Sequence, residues 1–195
     1  MVNKDYQVSE LVENAISGDK ASLEQLVSLF HEDIYRTVYY RTRSRMDAED
    51  LTQEIFMQMI KSLPGLKNTA CFKPWLFRIA LNRVRDFHRK KSILNFLGTT
   101  TDVEDAGHVG TETHSNPADK VMQKEFWKQF HQFTGTLSRW EREVFTLRFL
   151  DHLGIREIAE ALKKNESTVK THLYRALKKF RQNPELRDLL KGELS

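Results

Sequence analysis

The sequence is poor in cysteine, proline and glycine, and each shortage excludes a class of protein. A single cysteine, Cys71, rules out an intramolecular disulfide and argues against a cysteine-based zinc site. Only 4 prolines and 8 glycines interrupt the 195 residues, so long helices can run unbroken. No apolar run reaches the roughly 18 residues of a membrane span, and the N-terminal residues lack a signal peptide's apolar core. We therefore expect a soluble cytoplasmic protein with no direct membrane insertion.

What the chain does contain is a mixture typical of a folded protein. Apolar residues make up 39% and charged residues 30% of the sequence, which is enough to build a core. The apolar residues recur at helical rather than alternating spacing, which predicts an all-α fold. The net charge of +4 is compatible with an anionic partner but does not by itself indicate one.

A polar stretch near the middle divides the sequence. Residues 99–119 contain five acidic residues, no lysine and no arginine, together with many threonines and glycines. This composition is typical of a flexible, solvated linker. We therefore predict two small helical domains, 1–91 and 119–195, joined by an acidic linker over 92–118.

Apolar periodicity and helix-stop residues predict four helices on each side of this linker. Those of the first domain are expected at 8–17, 20–43, 47–63 and 73–91, with a bend or break in the second helix near 31–33. In the second domain they are expected at 119–134, from the Ser138–Glu141 capping box to 150, at 155–162 and at 167–182.

The sharpest functional signal is the short helix at 155–162, a tight turn and the longer basic helix at 167–182. This arrangement is typical of a helix-turn-helix. The N-terminus of the second helix, near Ser167, is suited to a phosphate. Its polar face offers side chains for phosphates and base edges, namely Lys170, Thr171, His172, Arg175, Lys178 and Lys179. The pattern favours DNA binding, and a solvated basic face on a helical hairpin is the alternative.

A second basic cluster closes the first domain. Its cations are Arg78, Arg83, Arg85, Arg89, Lys90 and Lys91. Aromatic residues are interleaved with them, namely Phe72, Trp75, Phe77 and Phe87. Cations with aromatics are typical of a surface that binds unstacked nucleic acid. We expect the cations to contact phosphate, but we expect Trp75 and Phe87 to lie mainly in the core.

An acidic cluster opens the third predicted helix, with Asp47, Glu49, Asp50 and Glu54 around Gln53. Carboxylate clusters bind metal in some nucleases, but no further ligand is obviously placed here, and Asp47 is also a suitable helix N-cap. Metal-binding and catalytic motifs are missing from the rest of the sequence, so no metal, cofactor or enzymatic activity is expected. We interpret Cys71 as a small residue at the start of a helix.

Three segments, taken in order, resemble one family. Residues 47–56 resemble the polymerase-clamp-binding helix of bacterial sigma factors, 72–82 their promoter-melting helix, and 167–176 the recognition helix of their C-terminal domain. Their order and spacing resemble the extracytoplasmic-function, or group IV, sigma factors of the sigma-70 family, from about residue 8 to residue 182. The resemblance implies a sigma-two helical bundle in 1–91 and a sigma-four helix-turn-helix domain in 119–195.

The resemblance also implies a role for each surface. The residues implied for core RNA polymerase are Asp47, Asp50, Gln53 and Glu54. Asn82 matches the position that takes a base flipped from the −10 non-template strand. The −10 residues implied around it are Leu66, Asn68, Trp75, Arg78, Arg83, Arg85 and Arg89. Those implied for the −35 element are Ser167, Lys170, Thr171, His172, Arg175 and Lys178, and His172 stands where the family often has arginine.

The implied function is transcription initiation, in which the protein binds core polymerase, recognises both promoter elements and promotes melting. The implied partners are core RNA polymerase, promoter DNA and an anti-sigma factor. Three alternatives stay open from sequence: a helix-turn-helix regulator that is not a polymerase subunit, a metal-dependent nucleic-acid enzyme built on the acidic cluster, and a helical adaptor.

Overall fold

A computed structural model describes residues 2–96 and 117–183 of the chain. Every regular element in these two ranges is helical, which confirms the predicted all-α fold. The chain separates into two compact units, residues 1–107 and 108–195. Most of the predicted acidic linker lies outside the described residues, and the domain limits drawn from sequence stay predictions. None of the described helices is both long enough and apolar enough to cross a membrane.

The first unit is a bundle of four α-helices. They are α1 (Val2–Ile16), α2 (Lys20–Thr42), α3 (Arg45–Ser62) and α4 (Phe72–Phe96). Two short 3-10 turns, Leu63–Gly65 and Thr69–Cys71, connect α3 to α4. The central helix α2 packs against the other three. Large side chains from α2, α3 and α4 fill the core together with Val12 of α1, among them Leu26, Ile34, Ile55, Met59, Phe72, Leu76 and Phe77.

Capping residues set where the helices of this unit begin. Asp19 caps α2 by accepting a hydrogen bond from the Ser22 amide over 2.9 Å. Gly18 precedes it with φ +98°, a conformation that side chains disfavour. At the next joint Arg43 is left-handed, with φ 56°, and Ser44 caps α3.

The observed helices of this unit correct the sequence predictions in four places. Helix α1 begins at Val2, six residues before the expected start at residue 8. The prediction of a bend or break near 31–33 is wrong, because α2 (Lys20–Thr42) is one continuous helix. Phe30 and Ile34, on either side of that point, are buried on the same face. The N-cap of α3 is Ser44 rather than Asp47, which lies within the first turn. Helix α4 runs on to Phe96, past the expected end at residue 91, since no proline or glycine stops it.

The second unit contains the other four helices. They are α5 (Pro117–Thr136), α6 (Arg139–Phe149), α7 (Ile155–Leu162) and α8 (Glu166–Arg181). Its centre is an aromatic cluster in which the Phe133 ring lies 5.3 Å from that of Phe145 and 5.6 Å from that of Phe180. These contacts join α5, α6 and α8. Edge-on aromatic pairs of this kind stabilise a core beyond the area that they bury.

The turns of the second unit are held by hydrogen bonds near the helix ends. The predicted capping box at α6 is confirmed, since the Ser138 amide donates to the Glu141 carboxylate over 2.9 Å. The Arg142 Nε donates to the Thr134 carbonyl over 2.8 Å and fixes the turn between α5 and α6. A left-handed Lys163, with φ 52°, ends α7 and allows the tight turn into α8.

Candidate nucleic-acid and polymerase interfaces

Helix α8 presents most of its predicted DNA-contacting residues to solvent. Asn165 caps the helix and accepts hydrogen bonds from the Thr168 amide at 2.9 Å and the Ser167 hydroxyl at 3.1 Å. The helix therefore begins at Glu166, one residue before the position expected from sequence. Five of the six residues assigned to the −35 element are exposed: Ser167, Lys170, Thr171, Arg175 and Lys178.

His172 differs from these five residues. Its side chain is half-buried, and its Nδ1 atom is enclosed without a hydrogen-bond partner in the described part of the chain. The sequence grouped His172 with the polar face of the helix, and in the structure its side chain is only partly in solvent. Helical spacing from Val169 and Ala176, which are both buried, places His172 at the edge of the buried face.

The cations of α8 are not equally available to a ligand. Lys170 pairs with Glu166, with 3.5 Å between the nitrogen and the oxygen. Lys179, which the sequence pattern put on the DNA-facing side, instead donates to Glu141 at 2.7 Å. No carboxylate pairs with Arg175 or Lys178 among the residues that the structure describes. These two are therefore the cations of the predicted reading face that are most available to DNA.

Burial and hydrogen bonding at Glu141 oppose each other. Burial of the carboxyl raises its pKa, but hydrogen bonds from Lys179 and Ser138 and the Lys179 charge outweigh that effect. The pKa of Glu141 consequently lies below its ordinary value, and the group stays ionised at neutral pH. Sequence patterning missed this pair because its members are 38 residues apart.

Helix α4 carries the predicted −10 surface of the first unit. Asn82 is exposed, and its Oδ1 accepts a hydrogen bond from the Arg85 Nη1 over 3.1 Å. Arg89 pairs with Asp86 at 3.2 Å. Arg83 donates to the Gln58 Oε1 over 3.1 Å and thereby links α4 to α3. Arg83 is thus held within the bundle, whereas Asn82 and Arg85 face solvent.

The loop before α4 is organised by local hydrogen bonds. The Asn68 Oδ1 accepts from the Ala70 amide, and its Nδ2 donates to the Cys71 sulfur, each over 3.2 Å. The Thr69 hydroxyl donates to Glu13 of α1 over 3.2 Å. Asn68 itself is exposed, and Leu66 is half-buried. Cys71 is half-buried directly before α4, where the sequence placed it.

Trp75 and Arg78, on the first two turns of α4, are both half-buried. The Trp75 ring lies 5.8 Å from that of Phe72, whose side chain is fully buried. Phe87 is also half-buried. The expected core positions of Trp75 and Phe87 are therefore only half right, since part of each side chain reaches the surface.

The acidic face of α3 is solvent-exposed. Asp50, Gln53 and Glu54 are exposed, and Asp47 is half-buried in the first turn of the helix. The same face carries two strongly exposed methionines, Met46 at 71% and Met57 at 70%. An acidic face flanked by apolar side chains is typical of a protein-binding surface. The charge of this face is evident in the sequence, whereas the exposure of its two methionines is seen only in the structure.

Nothing in the described ranges gives this acidic face the geometry of a metal site. Among residues 2–96 and 117–183, no group of three or more His, Cys, Asp or Glu side chains is placed to hold an ion.

Comparison with known proteins identifies both units. Residues 26–93 match the sigma-70 region 2 family, and residues 128–180 match the sigma-70 region 4 family. The first match covers α3 and most of α2 and α4, and the second covers the helix-turn-helix. A region 2 domain before the helix-turn-helix distinguishes the chain from a simple regulator.

Curated relatives agree along most of the chain. The RNA polymerase sigma factor SigV of Bacillus subtilis is 30% identical over 162 residues, which cover 83% of this chain and 90% of SigV. The ECF RNA polymerase sigma factor BldN of Streptomyces coelicolor is 32% identical over 173 residues. That alignment covers 88% of this chain but 64% of BldN.

Among solved structures, the fold is similar to the sigma factor RpoE of Bartonella quintana, in a co-crystal with the anti-sigma factor NepR. The TM-score is 0.64 at 20% identity, with 86% of this chain and 96% of RpoE covered. This likeness concerns the fold. The two domain matches and the curated relatives show that the chain belongs to the extracytoplasmic-function sigma factors of the sigma-70 family.

Proposed function

We propose that this transcription initiation factor divides its work among three surfaces. The acidic face of α3 binds core RNA polymerase, the surface around Asn82 captures the −10 element, and the exposed face of α8 reads the −35 element. The observation that supports this division best is how the three surfaces are distributed between the two units. The polymerase and −10 surfaces share one unit, while the −35 surface belongs to the other.

The −35 assignment is supported by exposure and charge on α8. Arg175 and Lys178 offer cations without a carboxylate partner among the described residues. The exposed Thr171 hydroxyl donates to the Ser167 carbonyl over 2.8 Å, so its oxygen remains as an acceptor. A helix of this kind reads base edges from the major groove, where arginine and lysine favour guanine. Lys170 must exchange its pairing with Glu166 for a contact with DNA, and at 3.5 Å in an exposed position this pairing is weak.

The −10 assignment is supported by the side-chain amide of Asn82, which is exposed on the surface of α4. An amide offers both a donor and an acceptor to the edge of a base that has left the stack. Arg85 already contacts this amide, so a captured base would compete for or share that hydrogen bond. Capture offsets the few kcal/mol that unstacking a base costs, which is how DNA is opened without ATP.

The polymerase assignment is supported by Asp50, Gln53 and Glu54 on the exposed face of α3. The flanking Met46 and Met57 offer adaptable apolar contacts. Docking both DNA-binding units on one polymerase raises the effective concentration of each for its own promoter element. Two weak DNA contacts then act as one strong contact.

Regulation and location follow from the same proposal. RpoE, which is similar in fold, is held by an anti-sigma factor. We assign this chain a partner of the same kind, which would cover surfaces that otherwise dock on polymerase. The chain acts in the cytoplasm, where core polymerase works, and it contributes binding and positioning rather than enzymatic turnover.

The decisive experiment is selection from a library of labelled forked promoters, with and without bacterial core RNA polymerase, at one stated salt concentration. Selective binding that requires core polymerase supports the proposal, and the enriched sequences report both elements. Selection of duplex DNA by the chain alone, with no contribution from core polymerase, would contradict it and favour a conventional regulator.

A further inference from the structure

Two exposed cations, Arg139 and Lys164, lie against the same aromatic ring near the start of α8. The Lys164 Nζ lies 4.5 Å from the centre of the Trp140 ring, and the Arg139 Cζ lies 5.4 Å from it. Trp140 is half-buried, so its ring is a fixed platform. Attraction between a cation and an aromatic face restricts long side chains that otherwise sample many rotamers. The fold therefore orders both cations against the same indole ring.

Neither of these cations has an acidic partner. Within the part of the chain that the structure describes, no carboxylate lies within ion-pair distance of Arg139 or Lys164. Arg156, by contrast, pairs with Glu160 at 3.2 Å, and Lys170 and Lys179 also have carboxylate partners. Exposed cations without a carboxylate partner are available to an external anion.

The position of the pair relates it to the reading helix. Lys164 directly precedes Asn165, the N-cap of α8, and the Lys164 amide donates to the Ala159 carbonyl over 2.9 Å. The left-handed Lys163, itself exposed, completes this turn. The partial positive charge of the α8 N-terminus adds to the two cations. The cations thus lie near the N-terminus of α8, where the acidic residue of the first turn, Glu166, is already paired with Lys170.

We propose that Arg139 and Lys164, held on Trp140, bind a backbone phosphate of duplex DNA beside the base pairs that α8 reads. This inference rests on the proposed −35 role of α8. Phosphates border the major groove on both sides, so a helix in the groove brings the residues at its end against one of them. Such contacts fix the register of the protein on DNA without reading sequence. Trp140 is a positioning residue.

The test measures how the affinity for promoter DNA depends on salt concentration, because the slope of that dependence reports the number of phosphate contacts. The full chain, bound to core polymerase, is titrated with a selected forked promoter at several salt concentrations. Lys164→Gln and Arg139→Gln are each expected to weaken binding several-fold, and equally for different −35 sequences. Each is expected to reduce the slope of log affinity against log salt, with an upper bound of about 0.9 for one phosphate.

Trp140→Leu is the informative variant because it removes no charge. We expect it to lower the slope in the same direction, since the two cations lose their platform. A structural role for Trp140 would instead change stability and leave the slope alone. The matched control is Lys20→Gln, an exposed cation of the first unit, which changes net charge equally and should leave the slope unchanged.

Three results would overturn the inference. Unchanged slopes for Lys164→Gln and Arg139→Gln, with −35 selectivity still lost in Arg175→Ala, would refute the phosphate site and leave the proposed function standing. Weaker binding to core polymerase without DNA would assign the site to an acidic protein surface. Failure of the unmodified chain to select any promoter would refute the proposed function as well. If Trp140→Leu lowers the helical circular dichroism signal, its salt slope is not interpretable. The slopes of Lys164→Gln and Arg139→Gln then decide whether the phosphate site exists.

Discussion

The Lys179 ammonium donates to the Glu141 carboxylate over 2.7 Å and ties the last turn of α8 to the first turn of α6. Glu141 also accepts a hydrogen bond from the Ser138 amide, so one carboxylate caps α6 and anchors α8, the helix proposed to read DNA. A cation that sequence patterning assigned to DNA therefore serves the fold. The pair also makes the stability of this unit depend on pH.

Glu141→Gln is expected to lower the free energy of unfolding by about 1–2 kcal/mol at neutral pH, because a charge-assisted hydrogen bond is weakened. The pKa of Glu141 is lower in the folded chain than in the unfolded one. The contribution of ionised Glu141 to the free energy of unfolding is therefore complete above the pKa of the unfolded chain, about 4.3. It is lost as the pH falls through the lower pKa of the folded chain.

Urea unfolding of the full chain, followed by circular dichroism at several pH values, checks this expectation. The difference between the unmodified chain and Glu141→Gln should be constant above about pH 5 and shrink in more acidic solution. Glu160→Gln breaks the exposed pair with Arg156 and serves as the control, with an expected effect under about 0.5 kcal/mol. A difference that persists unchanged at acid pH would contradict the prediction.

Asn82→Ala is expected to reduce open-complex formation roughly tenfold while leaving the affinity for core polymerase within about twofold. One or two hydrogen bonds to a captured base are worth about 1–3 kcal/mol in a desolvated pocket. Open complexes are measured by permanganate reactivity of the melted strand, and polymerase affinity by competition. The control is Asn14→Ala, an exposed asparagine of α1. Equal losses in both assays would make Asn82 mainly structural.

Charge reversal on α3 should affect polymerase affinity directly, in contrast to Asn82→Ala, which should leave that affinity nearly unchanged. Asp50→Lys and Glu54→Lys are expected to weaken binding to core polymerase about tenfold or more, because like charges then face each other across the interface. Circular dichroism should stay unchanged, since both side chains are exposed. Glu10→Lys on α1 makes the same charge change on another exposed surface. Polymerase affinity that responds equally to all three reversals would reflect net charge alone.

Phe133→Ala tests the aromatic core of the second unit. Phe133 is 1% exposed and contacts both Phe145 and Phe180, so its removal leaves a large cavity. We expect a loss of about 3–5 kcal/mol in the free energy of unfolding, measured with urea. Leu29→Ala, at a side chain that is 42% exposed, should cost far less. A loss below about 1 kcal/mol for Phe133→Ala would mean that the cluster repacks.

The sequence by itself determined the helical class, the helix-turn-helix and the family. These depend on local signals such as the 3.6-residue period, the Ser138–Glu141 capping box and the order of three motifs, all of which are readable along the chain. It also predicted which polar residues of α8 would be exposed, His172 excepted, because a buried stripe fixes the opposite face of a helix. Helix limits were less certain, as the continuous α2 and the extended α4 show.

Only the tertiary structure decided which charged and aromatic side chains are free to act. Glu141 meets Lys179, Gln58 meets Arg83 and Trp140 meets Lys164 across long stretches of sequence. No periodic pattern encodes such pairs, because they depend on how separate helices pack against one another. The same packing encloses the Nδ1 atom of His172 and leaves the Asn82 amide in solvent. The residue types were fixed along the chain, but their availability was set by the neighbours that folding gave them.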